Sequence, residues 1–149
     1  MFNTNLYDEI VSHLFVGSAD ALVDASQFSL IINCTHDIRI LGSVRTIRIP
    51  INDVSSDSYK LVDLIYNTGV LKVMHEYIKN NKKVLVHCFA GIQRSCTLVA
   101  CYLIQYHDMT PFTALEYIRQ KRPIAFFGHI NLLNAIELFY VNRAFNQSN

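Results

Sequence analysis

An α/β fold with a central sheet covered on both faces by helices is what this sequence predicts, on three observations. Short runs of branched and apolar residues, such as Leu30-Ile31-Ile32 and Val84-Leu85-Val86, alternate along the chain with longer stretches whose apolar residues recur at helical spacing. The run at 84–86 leads through a short loop straight into a long apolar stretch, the pattern of strand, tight loop and buried helix. Finally, 149 residues, 51% of them hydrophobic, are enough for one domain, 1–149, whose core needs no staples.

The elements follow in order. Ile10-Val11 and Leu14-Phe15-Val16 read as two short strands, with Gly17 turning out of the second. Ser18 is placed to cap a helix through Ala25 by accepting an otherwise unpaired N–H. Residues 28–34 are a buried strand by their branched and apolar content, and 44–49 another; Pro50 then ends regular pairing. Residues 53–59 are polar. Leu61, Leu64 and Ile65 carry a helical spacing that Asn67-Thr68-Gly69 interrupts, and Thr68 restarts a helix containing Val70, Val73, Met74, Tyr77 and Ile78. Asn80-Asn81-Lys82-Lys83 is a surface turn into the strand at 84–86. Residues 95–106 form the central buried helix. Thr110-Pro111 is an N-cap and first-turn pair for a helix through Gln120, and a last helix runs over 131–144. No repeat, low-complexity segment or second-domain boundary interrupts the series.

Composition narrows the function classes. A formal net charge of +1 argues against a basic nucleic-acid surface, and the apolar content argues against disorder. Cys34, Cys88, Cys96 and Cys101 form no paired extracellular framework. The N-terminus shows no secretory signal pattern, and no run of about 20 apolar residues is present to span a bilayer. These features predict an intracellular, reducing compartment and no stable nucleic-acid or membrane partner.

The chemistry concentrates in His87-Cys88-Phe89-Ala90-Gly91-Ile92-Gln93-Arg94-Ser95. A cysteine at the mouth of a strand–loop–helix turn, with an arginine six residues on, can surround a tetrahedral oxyanion. Backbone N–H groups of the loop and of the helix N-terminus supply donors, and the guanidinium supplies a planar fork for two oxygens. The residues Cys88, Phe89, Ala90, Gly91, Ile92, Gln93 and Arg94 are therefore the candidate phosphate-binding loop. Cys88 is the candidate nucleophile, since local N–H groups and Arg94 favour the reactive thiolate. Arg94 would bind the phosphate and hold charge on its oxygens in the transition state. Gly91 permits a backbone turn that a side chain would obstruct. Ser95 can donate to the Cys88 sulfur and ease its departure, or cap the following helix. His87 organises the loop rather than acting as a base.

The leaving oxygen needs a proton. Asp53, just past the predicted strand end at Ile49-Pro50-Ile51-Asn52, is the candidate general acid and base, with Asp57 the alternative. His36 and Asp37 near Cys34 make no credible metal-ligand set, so no metal or other cofactor is expected. Protease-type Cys-plus-His chemistry would leave Arg94 unexplained, and residues 84–94 lack the Gly-x-x-x-x-Gly-Lys-[Ser/Thr] pattern of a nucleotide phosphate loop. Cys34, closing a predicted strand as Val86 does, is a candidate resolving partner should Cys88 be oxidised.

With these residues in place the chain resembles a small, atypical dual-specificity protein phosphatase of the cysteine-dependent tyrosine phosphatase superfamily, and the compact members carried by some large DNA viruses. The resemblance covers nearly all of residues 10–140. It rests on His87-Cys88-x5-Arg94-Ser95, on Leu14-Phe15-Val16-Gly17-Ser18, on Ile49-Pro50-Ile51-Asn52-Asp53, and on residues 114–119 with Arg122-Pro123. It implies a three-layer cysteine-dependent phosphatase fold with a central mixed sheet flanked by helices. It also implies a phosphorylated protein substrate, hydrolysis through a phosphocysteine without metal, and a pocket open to phosphotyrosine and often to phosphoserine or phosphothreonine. RNA 5′-triphosphatase and phosphoinositide phosphatase activities are the alternatives within this chemistry, and a phosphoprotein-binding module is the noncatalytic one. Three departures stand out. A few extra residues are expected between Asp53 and Cys88, within 58–68. Gln93 replaces a small residue before Arg94, where it could restrict or bond substrate. The usual Pro-Asn pair is absent near Phe127-Gly128-His129-Ile130-Asn131, leaving His129 or Asn131 to supply any support bond to the loop.

Overall fold

A five-stranded mixed sheet carries the molecule. The structure, a computed structural model, describes residues 5–147. The strands are β1 (Tyr7–Val11), β2 (Leu14–Gly17), β3 (Leu30–Asn33), β4 (Thr46–Arg48) and β5 (Val84–His87), in the order β1-β2-β5-β3-β4. β1 and β2 form an antiparallel hairpin; β2, β5, β3 and β4 are parallel. Parallel strands bring their C-terminal ends to one edge, where ligands of open α/β sheets bind. Here that edge gathers Gly17, Asn33, Arg48 and His87, with β5 at the centre.

The strand residues divide by alternation. Val84 and Val86, Leu30 and Ile32, and Leu14 and Val16 face one core, while Leu85 and Ile31 face a second, smaller one. A period of two is the pleat itself, and each such side chain contributes about 1.5–3 kcal/mol on full burial. The larger core is covered by α1 (Ser58–Thr68), α2 (Val70–Lys79), α3 (Arg94–His107), α4 (Pro111–Lys121) and α5 (Leu133–Gln147). The smaller core holds Phe28, Ala21 and Ala25, and Tyr7, Phe15 and Phe28 meet edge to face with ring centroids 5.3–5.8 Å apart.

That second face departs from the expected α-helix after Ser18. Residues Ala19–Gln27 are 3-10 helical, and Ser18 makes no side-chain cap. Asp24 breaks the helix with φ −104° and ψ 23°, and its carboxylate accepts a bond from the Tyr7 hydroxyl at 3.0 Å. The segment thus bends to follow the β1–β2 hairpin. Elsewhere the elements agree with expectation to within a few residues. Thr110 does cap α4, accepting from the Thr113 N–H, with Pro111 in the first turn. Gly69, with φ +64°, separates α1 from α2, and Thr68 Oγ1 accepts the Val70 N–H at 3.2 Å. Residues 58–68, where the extra residues are expected, form α1, which stacks Tyr66 on Phe139 of α5 at 5.7 Å.

Candidate active site

The loop between β5 and α3 encloses a cleft of about 350 Å³ at the C-terminal edge of the sheet. Cys88 directly follows the central strand, so its position is set by a fully buried part of the sheet; it is 2% exposed. Phe89 and Ala90 are exposed at the rim. α3 begins at Arg94, and the N–H groups of a helix's first turn have no partner within the helix, which makes the loop's open side suited to an anion. Asp53, Cys88, Gln93 and Arg94 all line the cleft, bringing the expected nucleophile, clamp and acid together from two distant segments.

Each side chain has an identifiable restraint. Ser95 is fully buried, with its hydroxyl 3.2 Å from the Cys88 sulfur. It lies inside the first turn of α3, and Gln93 occupies the cap position instead. Arg94 donates to the Ile51 carbonyl at 3.2 Å, tying the clamp to the segment that leads to Asp53. Asp53 is exposed and accepts from the Asn131 amide at 3.0 Å. Asp57 does not line the cleft; its carboxylate accepts the Asn52 N–H at 2.7 Å and braces the loop carrying Asp53. His87 is fully buried, and its Nδ1–H donates to the Cys88 carbonyl at 3.1 Å. Burial first, then the nearby Arg48 charge, push the His87 imidazole below its ordinary value against the opposing effect of that bond, so it is a neutral organiser of the loop.

Two glycines make the loop's curvature possible. Gly91 has φ +70°, and a Cβ there would lie 2.5 Å from the Gly17 carbonyl carbon and 2.7 Å from the Arg122 guanidinium. The loop therefore rests backbone to backbone on the end of β2, while the Ala19 N–H donates to the Phe89 carbonyl at 2.9 Å.

Two supports escaped the sequence reading. Arg122 is 2% exposed; it donates to the Gly91 carbonyl at 2.8 Å and to the Asn5 carbonyl at 2.9 Å, and pairs with the Asp8 carboxylate at 2.8 Å. Nothing local in the sequence links Arg122 to Asp8 or Gly91, so the sequence alone marks it only as part of a turn. Gln93 lines the cleft and is also anchored to the 129–131 segment: its amide donates to the His129 carbonyl at 2.7 Å and accepts the Asn131 N–H at 3.1 Å. The expected support from His129 or Asn131 thus comes from both, through their backbones. A backbone contact leaves no residue-type signal in a sequence.

Placement separates the two candidate acids and sets a test. Asp53→Asn should slow hydrolysis of a phosphopeptide about 10²–10³-fold, and an aryl phosphate with an acidic leaving group much less, because only the poor leaving group needs the proton. Asp57→Asn, whose amide oxygen can still accept the Asn52 N–H, should have a smaller effect. If the basic limb of the rate–pH profile survives Asp53→Asn and vanishes in Asp57→Asn, the acid is Asp57.

The cysteines are all unpaired and buried. Cys34 follows Asn33, the last residue in register with β5, opposite His87, and its N–H donates to the His87 carbonyl at 2.8 Å; the two strands thus carry Cys34 and Cys88 one step beyond a register pair. Burial, then the proximity of Cys88, pushes the Cys34 thiol well above its ordinary value, while Arg94 opposes the shift. Cys34 therefore rests as a neutral thiol and is a poorer target for oxidant than a thiolate. Brief peroxide treatment should convert Cys88 to a sulfenic acid; attack by the Cys34 sulfur then forms the disulfide as the S–OH bond breaks, the hydroxyl leaving as water with the proton that Cys34 gives up. Peptide mapping should find that pair, and Cys34→Ser should lose most of the activity that reductant restores to the parent. A persisting Cys88 sulfenic acid in the parent would rule Cys34 out. Cys96 is turned away, its thiol 3.5 Å from the Gly91 carbonyl.

Among the described residues no group of three or more His, Cys, Asp or Glu is arranged to hold a metal, and no helix is long and apolar enough to cross a membrane. Comparison with known proteins is specific. The family model described as dual specificity phosphatase, catalytic domain, matches residues 14–139. A protein of Invertebrate iridescent virus 6, provisionally named tyrosine phosphatase 123R, is 35% identical over 121 residues, 79% of this chain and 81% of the viral one. Mouse dual specificity protein phosphatase 14 is 28% identical over 123 residues; that match takes in 78% of this chain but only 60% of the mouse protein's length. The crystal structure of human DUSP28 superposes with a TM-score of 0.81 at 18% identity, covering 94% of this chain and 96% of that one.

Proposed function

The chain belongs to the family of dual specificity phosphatase catalytic domains, and from that premise we propose that it hydrolyses phosphotyrosine, together with phosphoserine or phosphothreonine, on protein substrates through a phosphocysteine. One observation carries the reading: a buried cysteine at the base of a cleft that also presents Arg94 and Asp53. Cys88 Sγ attacks phosphorus, and the bond to the ester oxygen breaks as Asp53 gives that oxygen a proton. Arg94 and the loop N–H groups hold the equatorial oxygens throughout. Water then attacks the phosphocysteine, Asp53 takes a proton from it, and the Ser95 hydroxyl, 3.2 Å away, donates to the departing sulfur.

The cleft lining has one arginine and no lysine. A single cation suits a phosphate monoester better than an RNA 5′-triphosphate or a polyphosphorylated inositol. The reading treats residues 1–149 as one catalytic domain, supported by a main core that runs from Ile10 to Phe139. It places the protein in an intracellular, reducing compartment, supported by four free cysteines and by the thiol chemistry itself. Phosphate release should be compared on phosphotyrosine and phosphothreonine peptides, 5′-triphosphorylated RNA and an inositol phosphate at matched concentration. Turnover of the peptides is expected to lead; faster turnover of RNA or inositol phosphate would reassign the substrate. Tight peptide binding without phosphate release would make the domain a binding module.

A further inference from the structure

Two large aromatic side chains stand exposed at the mouth of the cleft, and neither takes part in the chemistry above. Phe89 is 67% exposed and Phe127 is 62% exposed, and both line the cleft with Cys88 and Arg94. Leaving a phenyl ring in water forgoes about 1.5–3 kcal/mol of burial. An isolated exposed aromatic is unremarkable; two from separate segments at one catalytic mouth are not isolated.

Both are held in place by their backbones. The Phe89 carbonyl accepts the Ala19 N–H at 2.9 Å, which fixes this part of the loop against the exit of β2. Phe89 also borders a second depression lined by His36, Asp37, Asn52 and Arg94, so that Phe89 and Arg94 are shared between it and the catalytic cleft. On the other segment, the Phe126 N–H donates to the Ile92 carbonyl at 2.8 Å, and the Arg119 guanidinium donates to the Phe126 carbonyl at 3.3 Å. Phe126 has φ +57°, a conformation unfavourable for a bulky side chain. Its own ring is fully buried in the core, and the turn delivers the next residue, Phe127, to the cleft. Gln93, by gripping His129 and Asn131, holds the far side of the same turn. The bonds from Ile92, Arg119 and Gln93 thus offset the backbone strain at Phe126 and hold the turn that presents one exposed ring.

We propose that Phe89 and Phe127 are specificity-determining residues that grip the ring of an aryl phosphate ester, so that the cleft prefers phosphotyrosine to phosphoserine and phosphothreonine. This rests on the protein-phosphatase reading and refines it. Cys88 is 2% exposed beneath a rim of exposed residues. A phosphotyrosine reaches that depth through a flat ring whose faces and edges meet aromatic walls, whereas the short aliphatic arm of phosphothreonine offers them no ring. Aromatic pairs contribute about 0.5–1.5 kcal/mol beyond simple burial. The contact exists both in the bound substrate and in the transition state, so it acts on KM more than on kcat.

The test uses one peptide sequence carrying either phosphotyrosine or phosphothreonine, with kcat and KM measured for the parent, Phe89→Ala, Phe127→Ala and Phe89→Tyr. The parent should favour phosphotyrosine. Each alanine variant should lower the ratio of kcat/KM values about tenfold, chiefly by raising KM for the phosphotyrosine peptide. Phe89→Tyr, which keeps the ring, should restore the ratio. Equal use of the two peptides by the parent, or an equal fall on both in the alanine variants, would overturn the clamp while leaving the protein-phosphatase reading intact. Failure to hydrolyse either peptide would overturn both.

Discussion

Cys88→Ser should abolish turnover, by a factor on the order of 10⁵–10⁶, while leaving the protein folded. A serine hydroxyl is nearly isosteric with the thiol but a far weaker nucleophile. In the proposed reaction Asp53 serves the leaving oxygen, and the buried neutral His87 spends its Nδ1–H on the Cys88 carbonyl. The fold should survive because the new hydroxyl has a partner: the Ser95 Oγ already lies 3.2 Å from the sulfur. A paired buried hydroxyl costs about 1–2 kcal/mol at most, which a thermal melt would register as a shift of a few degrees. Phosphate release and melting should be measured on the same preparation. Turnover near that of the parent in a well-folded variant would eliminate the phosphocysteine route.

Arg94→Lys should reduce turnover on the order of 10²–10³-fold, with little rescue by excess substrate. Charge is retained, so a purely coulombic role would predict a mild effect. The planar fork is what disappears, and two parallel N–H bonds to phosphate oxygens cannot be reproduced by an ammonium. A second loss comes with it. The Arg94 guanidinium also donates to the Ile51 carbonyl at 3.2 Å, two residues before Asp53, so the same side chain steadies the strand exit that carries the candidate acid. The defect should therefore be larger for a phosphopeptide, whose leaving group needs the acid, than for an activated aryl phosphate. A change confined to KM would contradict both roles.

How much of this could be read in advance follows from the range of each interaction. Cys88, Gly91, Arg94 and Ser95 lie within eight residues, and their geometry is set by one turn between one strand and one helix. Chemistry that is local in the chain is legible in the chain. The alternation of Val84, Leu85 and Val86 between two cores is equally local, and the Thr110-Pro111 cap is a property of two neighbours. Asp53 was reachable because it follows a strand end by a few residues. The 3-10 geometry of Ala19–Gln27 was not, since it depends on Tyr7 bonding Asp24 from another strand. Gln93 was noticed for the right reason, its size beside Arg94, but its direction is decided by the backbone of residues 36 and 38 positions away. Arg122 had the weakest signal, for its partners lie 31, 114 and 117 positions off and are mostly carbonyl oxygens.

Those separations bear on how the molecule comes into being. Arg122 holds the catalytic loop to the first strand from near the far end of the sequence. During vectorial synthesis, a ribosome-bound chain can pair β1 with β2 and later insert β5 between β2 and β3, yet until residue 122 has emerged the Gly91 carbonyl lacks its donor and the Asp8 carboxylate its cation. Long-range contacts of this kind close late, because the entropy of the intervening loop must be overcome first. The thiol of Cys88, the candidate nucleophile, would thus be assembled into working geometry only as the last third of the polypeptide arrives.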